Sequence, residues 1–160
     1  MLIVSDTSPI TNLIQIGQLG LLRKLFVQVV VPEQVFKELT IYEGQADILQ
    51  KNNWIALKTV ADQDAVSALS VKLDAGEAEA IILAKELGAR LLIIDERKGR
   101  SEATKQGLEI IGLLGVLVKG KQAGHLEKIQ PLLDQLINQV GFRVSPSLYQ
   151  LILESVQETK

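Results

Sequence analysis

Short apolar runs alternate along this chain with segments whose apolar residues recur every three or four positions. This is the pattern of an α/β domain with a largely parallel sheet. Leu2-Ile3-Val4-Ser5 reads as a buried strand running into Asp6, and Leu91-Leu92-Ile93-Ile94 as another running into Asp95. Phe26 to Val31, Trp54 to Leu57 and, more weakly, Glu109 to Ile111 predict three further strands. Right-handed crossovers between parallel strands then put helices on both faces of the sheet.

The helical stretches carry their own punctuation. Pro9 suits a first helical turn, with Ile10, Leu13 and Ile14 at helix spacing behind it. Pro32 opens a helix bearing Val35, Phe36 and Leu39, while Gly76 to Leu87 forms a long helix stopped by Gly88. Further helical patterns cover Leu113 to Gln122 and Leu126 to Val140. Ser145-Pro146 reads as an N-cap and first-turn proline for a last helix, with Leu148, Leu151, Ile152 and Val156 on one stripe. The polar stretch Lys58 to Asp64 carries no assignment. No repeat or linker divides the 160 residues, so one domain over 1–160 is expected, with 113–160 as its helical C-terminal extension.

Composition narrows the chemistry. With no Cys and a single His, His125, disulfides and thiolate zinc sites are excluded and a His-rich zinc site is disfavoured, leaving oxygen as the ligand for any metal. The longest apolar stretch, Ile110 to Val118, is too short to span a bilayer, and no basic leader precedes the first strand. A cytoplasmic protein with no membrane partner is therefore expected. A net charge of −2 offers no global attraction to nucleic acid, so phosphate binding must rely on local clusters such as Arg97-Lys98-Gly99-Arg100.

Acidic residues stand where the apolar segments end or turn inward. Asp6 and Asp95 follow strands that parallel pairing would set side by side, at the sheet edge where α/β proteins bind ligands. At about 100° per residue, Glu77 falls on the stripe of Ala80, Ile81 and Ala84, whereas Glu79 and Glu86 point almost oppositely. A core-facing carboxylate needs a partner or a metal. Each acid also has a plainer reading: Asp6 as an N-cap, Asp95 as a turn residue, Glu38 as a surface acid. Asp74-Ala75-Gly76-Glu77 likewise has capping-box spacing.

Taken in order, Ser5-Asp6-Thr7-Ser8-Pro9-Ile10, Val31 to Leu39, Leu73 to Ile81, Ile94 to Arg100, Leu113 to Leu117 and Gly141 to Pro146 resemble the PIN-domain nucleases, most closely a bacterial and archaeal branch related to VapC-type toxins. The resemblance covers most of the chain. It implies a three-layer α/β/α domain with a mostly parallel central sheet and divalent-metal-dependent cleavage of phosphodiester bonds, usually in RNA. By it, Asp6, Glu38, Glu77 and Asp95 match the family's metal-binding and catalytic acids. The third acid is Glu where Asp is frequent, and the C-terminal helices extend further than in common members. The resemblance also implies a small antitoxin partner and a homodimer.

The chemistry of clustered acids points the same way. Carboxylates crowded together repel one another unless a cation offsets their charge, and Mg²⁺, or Mn²⁺ in its place, suits an all-oxygen, water-rich site. Asp6 and Asp95 are expected to anchor the ion, and Glu77 and Glu38 to hold it or orient water. Thr7 and Ser8 are candidates to support the ligands or touch phosphate, and Arg97 and Arg100 to pair with the substrate backbone. Two other classes compete. A haloacid-dehalogenase-like phosphatase would need a second Asp two residues after Asp6, where Ser8 stands, and no glycine-rich phosphate loop follows the first strand. A non-catalytic module that binds RNA or protein is the stronger competitor.

Overall fold

The computed structural model describes residues 2–42 and 44–158. Five strands, β1 (Ile3–Ser5), β2 (Val29–Pro32), β3 (Ile55–Lys58), β4 (Leu91–Ile93) and β5 (Ile110–Ile111), form one parallel sheet in the order β3-β2-β1-β4-β5. Helices α1 (Thr7–Gln15) and α2 (Gly20–Phe26) connect β1 to β2, and α3 (Glu33–Ile41) and α4 (Gln45–Lys51) connect β2 to β3. α5 (Gln63–Leu69) and α6 (Ala75–Leu87) lead to β4, and α7 (Arg97–Lys105) leads to β5. After β5 come α8 (Leu113–Gln122), α9 (Gln130–Gln135) with a π-helical turn at Leu136–Val140, and α10 (Pro146–Ser155).

Alternation along the strands explains the three layers. Ile3, Val29, Val31, Ile55 and Ile93 face one apolar cluster, built with α1 to α4 and the helices after β5. Val4, Val30, Leu92 and Ile94 face the other, built with α5, α6 and α7. Both faces of the sheet are thus buried, as parallel strands require. The segment after residue 113 is fastened by Glu158, whose carboxylate accepts bonds from the Ile129 and Gln130 amides and from Lys121 Nζ at 2.7, 2.9 and 2.9 Å.

β1 is central, flanked by β2 and β4. The chain builds outward on one side through β2 and β3, then crosses to the other side with β4. The strand order therefore reverses at the β1–β4 junction, the place where open α/β sheets form a crevice beyond the strand C-termini. The Asp6 amide donates to the Ile93 carbonyl at 2.9 Å, tying the two strand ends together there.

Several predicted boundaries shift. The apolar run from Phe26 is not all strand: Phe26 ends α2, Val27 takes a φ of 69°, and the Gln28 amide turns back onto the Phe26 carbonyl before β2 begins. A β-branched residue in the left-handed region is an outlier that hydrophobic patterning does not signal. Helices α2, α4 and α5 are additions to the sequence pattern, each only seven residues long and so too short to show a helical apolar period. The pattern from Leu126 becomes helical only at Gln130. At α10 the buried stripe is Ile152, Leu153 and Val156 with Tyr149 half-buried beside it, while Leu148 and Leu151 are 39% and 61% exposed, because the helix is rotated so that Leu153 packs inward.

Candidate functional site

Four elements deliver acids to the crevice. Asp6 leaves β1 with extended backbone as the N-cap of α1 and is 6% exposed. Glu38 projects from α3; its Oε1 accepts the Thr7 hydroxyl at 2.7 Å and its Oε2 the Gln34 side-chain amide at 3.2 Å. Glu77, in the first turn of α6, is 5% exposed. Asp95 follows β4, and its Oδ1 accepts the Leu113 amide at 2.8 Å.

Glu77 fulfils both of its possible readings. Its backbone amide donates to Asp74 Oδ1 at 2.8 Å and its Oε1 accepts the Asp74 amide at 3.3 Å, a capping box that starts α6. Its other oxygen, Oε2, is buried with no hydrogen-bond partner among the described residues, and so is Asp95 Oδ2. Glu79 instead accepts the Gln34 amide at 3.1 Å, holding α6 to the start of α3, and Glu86 accepts the Ala61 and Asp62 amides before α5.

Burial shapes the protonation of these groups. It pushes Asp6 up to about 7, with the charges of Asp74, Glu38 and Asp95 adding to the effect and the Thr7 amide easing it. Glu77 is raised by burial first, then by its bond to Asp74 and by the charges of Asp74 and Asp6. Asp95 is raised by burial, partly offset by the Leu113 amide and the nearby Arg100 guanidinium.

Asp6, Glu38 and Glu77 line one cavity of about 570 Å³, together with Asp74 and Glu96. Thr7 and Ser8 line it too, Thr7 as the donor to Glu38. Asp95 borders a different cavity, with Arg100, Gly112 and Arg143, although its charge still reaches Asp6. Arg100 turns inward, donating from Nη1 to the Ile94 carbonyl at 2.9 Å, so its guanidinium acts beside Asp95. Arg97 lies exposed on α7.

Sequence reasoning missed Asp74 and Glu96 as cavity acids; the capping-box spacing had marked Asp74 only as a cap. It also missed three glycines. A Cβ on Gly76 would come within 2.7 Å of Glu38 Oε2, on Gly99 within 2.8 Å of Glu77 Oε2, and on Gly112 within 2.8 Å of Asp95 Oδ1. Each acid is seated on the opening turn of a helix at a residue without a side chain. The available signal was glycine at helix starts, where its low propensity asks for a reason.

The donor set suits a hard divalent cation: it is all oxygen, strongly anionic, and contains two buried partnerless carboxylate atoms. Among the described residues, no three Asp, Glu or His side chains come close enough together to form a ready-made metal cage. Mg²⁺ does not need one, since it is commonly held by one or two carboxylates and keeps several waters.

A parallel 3-2-1-4-5 sheet with acids gathered beyond its central strands defines an α/β domain with an acidic crevice. Residues 2–158 match the family model described as the PIN domain, and the chain belongs to that family, whose fold is of the nuclease type. No curated protein matches the chain. Among the described residues, no helix is long and apolar enough to cross a membrane.

Proposed function

We propose that the protein is a ribonuclease that uses Mg²⁺, or Mn²⁺ in its place, to hydrolyse phosphodiester bonds. The supporting observation is the pair of buried, partnerless oxygens on Glu77 and Asp95 near an Asp6 whose protonation burial has pushed into the neutral range. Carboxylates left this way cost free energy unless a cation joins them. Asp6 and Asp95 are the anchoring ligands, with Glu77 and Glu38 holding the ion or its water shell. When bound, the cation neutralises charge developing on the phosphate and makes its water more acidic. The Thr7 hydroxyl fixes Glu38, and the capping box fixes Glu77, so neither acid swings freely.

The toxin role is part of the same proposal. It rests on family membership and calls for a small antitoxin segment that covers the crevice, for a homodimer, and for action in the cytoplasm. A second reading, a non-catalytic RNA- or protein-binding module, is favoured by Asp95 bordering a different cavity from Asp6, Glu38 and Glu77. Purified protein incubated with total cellular RNA and Mg²⁺, Mn²⁺ or EDTA, followed by mapping of cut ends, separates the two. Metal-dependent cuts support the nuclease; binding without cutting under all three conditions supports the module.

A further inference from the structure

The acidic cavity shares Lys72, Leu73 and Lys98 with an adjoining cleft of about 420 Å³ along α7. Across that shared rim the charge changes sign. Lys72, Arg97, Lys98 and Lys105 border the cleft, opposed by the single carboxylate Glu102. Glu102 is already engaged: its Oε1 accepts the Gln106 side-chain amide at 3.1 Å, and its Oε2 lies 3.5 Å from Lys72 Nζ. The Lys72 side chain is 61% exposed, so that pairing is loose. Arg97, Lys98 and Lys105 form no ion pair among the described residues. Arg97, Ser101 and Lys105 repeat every fourth position, a stripe of about 12 Å along the helix and long enough to meet more than one phosphate.

We infer that this cleft is the track that holds the phosphodiester backbone of a single-stranded RNA beside the acids. The inference rests on the ribonuclease reading and adds the path by which substrate reaches the site. A polyanion approaching five carboxylates on a chain of net charge −2 is repelled unless fixed cations stand next to them, and this rim is where they stand. A single strand fits better than a duplex because Asp6 and Glu77 are only 6% and 5% exposed, so the scissile link must bend down into a recess.

The test measures anisotropy of a fluorescein-labelled, mixed-sequence RNA oligonucleotide in EDTA, where binding is read without cleavage. Lys98→Ala/Lys105→Ala is compared with Lys24→Ala/Lys51→Ala, which removes the same charge from exposed positions on α2 and α4. The α7 variant is expected to bind at least tenfold more weakly near physiological salt. The slope of log affinity against log salt should fall by about 0.7 per lost phosphate contact. The control should stay within about twofold of wild type, and a duplex of the same sequence should bind more weakly than the single strand. Equal losses in the two variants, or equal binding of duplex and single strand, would overturn the track. If wild type cleaves with Mg²⁺ while the α7 variant binds normally, the track is wrong and the ribonuclease reading stands. If wild type neither binds nor cleaves RNA, both fall. Circular-dichroism melting confirms that the variants remain folded.

Discussion

The carboxylate of Glu38 rests on Gly76, where a Cβ would approach its two oxygens to 2.7 and 2.8 Å. Gly76 lies in the first turn of α6, so α3 can bring its acid against α6 only because that position has no side chain. The obstacle to a methyl group is the far end of a flexible side chain, not backbone. Gly76→Ala should therefore leave stability unchanged or raise it by up to about 1 kcal/mol, the usual gain of Ala over Gly in a helix. Displacing Glu38 from the Thr7 hydroxyl should meanwhile cut metal-dependent cleavage by about 10- to 100-fold, as loss of an orienting contact typically does. Thermal melts and cleavage rates on the same preparation check this; full activity in the variant would show that Glu38 needs no such seat.

Asp6→Asn separates charge from shape. Asn keeps the size of the side chain while removing an anion that burial disfavours. Cleavage should be almost abolished. The metal-free protein at pH 8 should become more stable than wild type, because the substitution deletes a buried charge. A variant that cleaves as well as wild type, and is equally indifferent to EDTA, would end the metal-nuclease proposal.

Glu77 and Glu79 lie two residues apart and serve different ends. Glu77→Gln keeps an oxygen for the Asp74 amide while losing the anionic Oε2, so Mn²⁺ affinity measured by calorimetry should drop about 10- to 100-fold. Glu79→Gln alters only the acceptor for the Gln34 amide and should change Mn²⁺ affinity by less than about twofold, with a stability loss of about 0.5 kcal/mol at the α3 N-terminus. Equal losses of Mn²⁺ binding would mean that the inward orientation of Glu77 carries no metal function.

The sheet and much of the crevice were legible because each depends on local pattern. Val4, Val30 and Leu92 sit in continuous apolar runs, and helix periodicity placed Glu77 on the buried side of α6 beside Ala80, Ile81 and Ala84. Other features depend on distant neighbours and leave no local trace. Arg100 reads in sequence as a contact for the substrate backbone, yet its Nη1 donates to the Ile94 carbonyl six residues back because α7 folds over the end of β4. Asp95 reads in sequence as a partner facing Asp6, yet one of its oxygens is claimed by the Leu113 amide of α8, and it borders a different cavity from Asp6. Sequence spacing finds which residues share an element; it does not find which later helix will compete for them.

Metal binding and pH should be coupled with a definite sign. Asp6 titrates at its ordinary 3.8 when unfolded and at about 7 in the folded chain, so between those values the folded state holds the extra proton. Stability of the metal-free protein therefore falls as pH rises through this window, and the loss is complete above about pH 7. Glu77 and Asp95, also raised, act in the same direction. A cation must displace these protons, so Mn²⁺ affinity should increase from pH 6 to pH 8 as the carboxylates become available. Melting in EDTA should show a lower midpoint at pH 8 than at pH 5.5, and added Mn²⁺ should raise the midpoint more at pH 8. Calorimetry in two buffers of different ionisation enthalpy should detect proton release on binding near pH 6.5, and Asp6→Asn should reduce it. Proton uptake on Mn²⁺ binding, or a metal-free midpoint that climbs between pH 5.5 and 8, would contradict the assignment of these carboxylates as the ligands.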